Sequence, residues 1–121
     1  FRKLQDGVGE VIEIVERFEV VYISPIVLGE LCFGYKKGSR RAENLRWLDK
    51  LRKTSNLELI ELGEPAAKIY AQILSDLNKK GKPIPTNDIW IAAQTMEIGA
   101  MLMTFDQHFN EISGLRLWEG V

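Results

Sequence analysis

The stretch over residues 83–109, PIPTNDIWIAAQTMEIGAMLMTFDQHF, carries two carboxylates, Asp88 and Asp106, each at an end of a predicted element. Acids gathered at the edge of a core repel one another and need a partner cation, so the chemistry they offer is that of a bound divalent ion. Pro83 and Pro85 hold the incoming chain extended, Thr86 is a fair N-cap, and residues 87–98 have helical pattern, which puts Asp88 in the first turn. Ile91, Ala92 and Thr95 follow Asp88 at helical spacing, so this carboxylate heads the stripe that packs inward. Gly99 reads as a C-cap, and residues 100–103 read as a short buried strand, with Thr104 and Asp106 at its carboxyl end. That end of a strand is where open α/β sheets bind ligands. Each acid also has an ordinary structural use: Asp88 complements the helix dipole, and Asp106 caps the turn over residues 107–110.

A third candidate acid, Glu30, lies in the predicted helix that Ser24 caps and Pro25 opens, among the packing residues Leu28, Leu31, Cys32 and Tyr35. A solvent-facing helical glutamate is the alternative there. A glycine inside a helix suggests that something approaches closely at Gly29 or Gly34. Upstream, Val8, Val11, Ile12, Val15 and Phe18 predict an amphipathic helix, and residues 20–24 a buried strand. Downstream, a basic helix begins near Arg40 with Leu45, Trp47, Leu48 and Leu51 on its apolar side, and residues 57–62 form a second strand. Glu64 and Pro65 open the longest helix, whose apolar stripe is Ala66, Ile69, Tyr70, Ile73, Leu74 and Leu77. Met96, Met101 and Met103 read as gap-filling core, and residues 115–118 as a closing strand. Helices alternating with strands predict one α/β domain over residues 1–121, a small parallel sheet flanked by helices.

Composition narrows the chemistry further. With 45% hydrophobic and 27% charged residues the chain is an ordinary globule, and no apolar run is long enough for a membrane span, so a cytoplasmic address is expected. One cysteine and one histidine are too few soft ligands for a structural zinc, which leaves a hard ion held by oxygen, Mg²⁺ or Mn²⁺. The net charge of −1 conceals clustering: Lys36, Lys37, Arg40, Arg41, Arg46, Lys50, Arg52 and Lys53 are half of the 16 basic residues, and Lys79, Lys80 and Lys82 form a second group. Such runs either hold a phosphate backbone or form a solvated helix face. There is no Gly-rich phosphate loop, nucleophile elbow or Cys/His pair.

Three pieces in order, SPIVLGELCFG around Glu30, PTNDIWIAA around Asp88 and MTFDQHF around Thr104 and Asp106, followed by ISGLRL, resemble the PIN-domain nucleases. The likeness is greatest to the stand-alone VapC-type toxins of toxin–antitoxin pairs. The resemblance covers nearly the whole chain and implies a metal-dependent endoribonuclease with acids gathered over Mg²⁺ or Mn²⁺. On that pattern Glu30, Asp88 and Asp106 match the metal-binding catalytic acids, while Thr104 and Asn87 match supporting polar residues. His108 is read as a surface or helix-end residue that the family mechanism does not need. An RNA substrate, held by Lys36, Lys37, Arg40, Arg41, Lys79, Lys80 and Lys82, an antitoxin protein and a homodimer are the implied partners.

Family members begin with a strand ending in Asp-Thr or Asp-Ser, which nothing in this sequence matches. The expectation is that this strand precedes Phe1 and that the sequence as it stands is a poor nuclease. Three other readings stay open: a PIN-like RNA- or protein-binding module without catalysis, an RNA-processing PIN nuclease with no antitoxin, and an unrelated α/β interaction domain in which Glu30 and Asp88 lie far apart.

Overall fold

The computed structural model describes residues 17–37, 46, 49, 50, 53, 56–104 and 106–118. Its contacts divide the chain into two compact units, Phe1–Ile60 and Glu61–Val121. The predicted helix over Val8 to Val15, the basic helix carrying Leu45, Trp47, Leu48 and Leu51, the positions Arg40 and Arg41, and the side chains of Tyr35, Lys36 and Lys37 lie outside the described residues. Phe18, assigned to the first of these helices from its spacing, is in a bend and is exposed.

In the first unit, strand β1 (Val21–Ile23) pairs in parallel with β2 (Leu57–Leu59), in the register Val21 to Leu57 and Ile23 to Leu59. A parallel pair needs a long crossover, which α1 (Pro25–Lys37) begins. Its start is as expected: the Ser24 hydroxyl accepts from the Ile26 N–H at 3.1 Å, and the Ser24 carbonyl accepts from the Leu28 N–H at 3.0 Å. Leu31 is buried and Glu30 half-buried. One expectation for this helix fails: Cys32 is exposed, not part of the packed stripe. Of the two glycines at which a close approach is expected, Gly29 shows none, since among the described residues nothing stands within 4 Å of where its Cβ would be. Strand β2 is also shorter than the apolar run that predicts it. The Ile60 N–H still bonds the Ile23 carbonyl at 3.0 Å, but the next carbonyl, Glu61, takes the Gln94 side-chain amide at 3.1 Å.

The second unit is built on two helices, α2 (Glu64–Lys80) and α3 (Thr86–Glu97). Ala66, Ile73 and Leu77 from α2 and Ile89, Ile91, Ala92 and Ala93 from α3 are buried, and Tyr70 stacks on Trp90 with ring centroids 4.0 Å apart. The small Ala92 and Ala93, fully buried, let backbones approach closely where a larger residue would hold them apart. Gln94 is the polar member of this core, and its bond to Glu61 satisfies the amide nitrogen that burial would otherwise strand.

Gly81 ends α2 in the left-handed conformation (φ 67°), where its own N–H reaches Asn78 and the Lys82 N–H reaches Leu77. Gly81→Ala is therefore expected to cost about 1 kcal/mol and to lower the melting temperature by roughly 4 °C, measured by thermal denaturation. Gly99 (φ 66°) closes α3 in the same way and turns the chain toward Leu102.

Residues 100–103 and 115–118, expected as strands, are reduced to one parallel bridge between Leu102 and Leu117. It consists of Leu102 N–H to Arg116 O and Trp118 N–H to Leu102 O, both 2.9 Å. Met101 is exposed and not core filler, while Met96 and Met103 are half-buried. Beyond the bridge a 3₁₀ turn (Gln107–Glu111) is anchored by the buried Phe109 and by Ile112 just after it. Among the described residues no helix is long and apolar enough to cross a membrane.

Candidate metal centre

Asp88 reaches its position through a proline start. Pro85 is extended (φ −58°, ψ 142°), and its carbonyl accepts from the N–H groups of Asp88 at 3.1 Å and Ile89 at 3.3 Å. Pro85, and not Thr86, is therefore the cap residue, and Thr86 is already the first residue of the helix; an extended proline whose carbonyl opens the ladder leaves no cap position for the threonine. Asp88 falls in the first turn, at the positive end of the helix dipole, which favours negative charge. Ile91, Ala92 and Thr95 are all buried, so the carboxylate heads the inward stripe as its spacing implies. Its side chain keeps only 17% of its exposure.

Asp106 is placed by local hydrogen bonds. The Thr104 hydroxyl accepts from the Asp106 N–H at 3.0 Å, and Asp106 Oδ1 accepts from the His108 N–H at 3.0 Å. The first bond joins Thr104 to the backbone of Asp106. The second makes Asp106 the cap of the 3₁₀ turn, so the structural use of this acid is realised as well. Capping and cation binding do not compete: a carboxylate has two oxygens and about four lone-pair directions.

The tertiary fold then adds what the spacing did not indicate. His108 Nδ1 hydrogen-bonds Asp88 Oδ2 at 3.1 Å and stands 3.1 Å from Asp106 Oδ1. Carboxylate oxygens accept, so this nitrogen carries the proton in the bond to Asp88. One ligand atom from each of Asp88, Asp106 and His108 lies within 4.8 Å of the others. His108 is half-exposed, as a surface residue would be, but its ring belongs to the acid cluster. A signal for this was present: an N-cap side chain bonds the N–H two residues on, which brings residue 108 back over Asp106.

Among the other candidates, Asn87 is exposed in the first turn of α3, beside Asp88 in sequence. Glu30 lies on α1 of the first unit. Lys79, Lys80 and Lys82 are exposed at the end of α2 and just beyond it. The Lys80 ammonium donates to the Glu111 carbonyl at 2.8 Å, which ties the end of α2 to the 3₁₀ turn that holds His108.

Two carboxylates and an imidazole thus converge from a helix start and from the turn that follows the Leu102 bridge, in an α/β protein, and the three could hold a metal ion. The chain belongs to the PIN-domain family, whose model matches residues 4–115. It is 31% identical over 107 residues to ribonuclease VapC2 of Rickettsia felis, an alignment that covers 88% of this chain and 78% of that protein. To ribonuclease VapC1 of the same organism it is 33% identical over 98 residues, covering 79% and 73%. Among solved structures, VapBC2 of Rickettsia felis bound to a DNA fragment from its promoter superposes with a TM-score of 0.78 at 30% identity, covering 93% of this chain and 84% of that one.

Proposed function

We propose that this protein is a divalent-metal-dependent endoribonuclease, the toxin of a VapC-type toxin–antitoxin pair. The convergence of Asp88 and Asp106 supports it most: two acids from separate elements share one small volume in which their repulsion is relieved by a cation. The ribonuclease names of the relatives, and the antitoxin in the related VapBC2 complex, support the substrate class and the partner.

The donor set fits a divalent ion, with Asp88 and Asp106 as the oxygen ligands, Mg²⁺ or Mn²⁺ the ions, and Thr104 and Asn87 in supporting positions. Such an ion supplies Lewis-acid stabilisation of phosphate charge and acidifies a water molecule. The chain supplies the rest. Asp88, mostly shielded from solvent and fixed by the helix start, keeps its charge at one point; the Thr104 hydroxyl holds the Asp106 backbone N–H, and the His108 N–H fixes the direction of the Asp106 side chain. Preset charges of this kind spare the reaction a reorganisation step. Lys79 and Lys82, exposed, offer positive charge for an RNA backbone, along with Lys36, Lys37, Arg40 and Arg41. Glu30 enters as a further acid on the family pattern, and a homodimer working in the cytoplasm on the same ground.

The full-length protein is expected to cleave RNA in the presence of Mg²⁺ or Mn²⁺ and to stop when EDTA is added, with activity restored by excess metal. Cleavage that persists in EDTA would exclude a metal-dependent mechanism. Binding of RNA without any cleavage under loaded conditions would favour the non-catalytic module instead.

A further inference from the structure

We propose that His108 Nδ1 is a third ligand of the divalent ion, and that this one imidazole makes the centre prefer first-row transition ions over Mg²⁺. The inference rests on the metal-dependent reading above and goes beyond it to the identity of the metal.

Geometry is the first argument. Adjacent ligands of an octahedral ion with bonds of about 2.1 Å stand roughly 3 Å apart. His108 Nδ1 lies 3.1 Å from Asp88 Oδ2 and 3.1 Å from Asp106 Oδ1, so both separations have the length of an octahedral edge.

The second argument is that the fold, and not an ion, sets in place the turn that carries the ring. The His108 N–H is held by Asp106, the neighbouring Phe109 is buried, and Lys80 secures the far end of the turn at Glu111. A ligand positioned in this way costs little ordering when the ion arrives. Ligation uses the lone pair of Nδ1, so the proton now on that nitrogen passes through solvent to Nε2.

Ligand chemistry is the third. Carboxylate and water suit Mg²⁺, whereas imidazole suits the transition ions, and affinity for mixed nitrogen and oxygen sets rises along the first row from Mn²⁺. An all-acid centre has this bias weakly, and one imidazole beside two acids strengthens it.

The test uses Mn²⁺ as the probe, on tag-free protein. Bound Mn²⁺ is titrated by electron paramagnetic resonance with Mg²⁺ in competition, and nitrogen coupling to the bound ion is read by pulsed measurements. His108 is the one histidine of the sequence, so an imidazole ¹⁴N coupling reports on it directly. The expected result is such a coupling in the parent protein, its loss in His108→Ala, and a fall of about tenfold or more in Mn²⁺ affinity relative to Mg²⁺. His108→Asp, which makes the ligand set all oxygen, should bind ions again with the preference moved toward Mg²⁺. If the parent binds Mn²⁺ with no imidazole coupling, or His108→Ala keeps the Mn²⁺ to Mg²⁺ ratio, His108 is only a hydrogen-bond donor and the proposal is overturned while the nuclease reading stands. Failure of the parent to bind either ion would overturn both.

Discussion

Asp88→Asn is expected to yield a folded protein that has lost RNA cleavage by at least about a hundredfold, since an ion at the phosphate contributes several kcal/mol to the transition state. Asn is nearly the same size and shape as Asp and can still accept the hydrogen bond from His108, but it brings no charge to the ion. The fold should tolerate the change. Asp88 also complements the start of α3, an effect worth up to roughly 1 kcal/mol, so the melting temperature should move by no more than about 4 °C. Removing one of two neighbouring negative charges acts in the opposite, stabilising direction. Cleavage rate and thermal denaturation, measured on one preparation, separate the two uses of this acid. A variant with parental cleavage would leave Asp88 as a helix-start residue and nothing more.

For Asp106 the two roles can be separated with a pair of substitutions. Asn caps a turn about as well as Asp, whereas Ala loses the cap at a cost of about 1 kcal/mol. Asp106→Asn should therefore keep the bond to the His108 N–H, and with it the stability of the 3₁₀ turn, while ion binding and cleavage fall steeply. Asp106→Ala should lose both. If capping were the whole role of this residue, Asp106→Asn would cleave as the parent does and only the Ala variant would be impaired. Metal affinity by calorimetry and RNA cleavage by gel assay distinguish these cases.

The features legible in the sequence share a cause. The Ser24 cap, the first-turn place of Asp88, the inward stripe of Ile91, Ala92 and Thr95, and the capping use of Asp106 all follow from residues within a turn of one another. The 3.6-residue period and the reach of a short side chain set them wherever the helix is packed. The strands were less legible. Residues 100–103 and 115–118 are as apolar as β1, yet form a single bridge at Leu102 and Leu117, because a ladder is decided by its partner and not by the run itself. Met101 illustrates the same limit, since hydrophobicity marks a residue fit for a core without saying that a core surrounds it.

The chain order of this protein alone determined the phase of its helices, the points where they begin and end, and which acids stand at those points. Period and capping did not determine that Asp88 and Asp106 meet, which only the family resemblance implied, that the His108 ring reaches Asp88, or that Lys80 spans from α2 to the turn carrying that histidine. Those relations join groups far apart along the chain. They depend on how α2, α3 and the 3₁₀ turn pack through Tyr70, Trp90 and Phe109, and close packing of particular side chains has no periodicity from which it can be foretold.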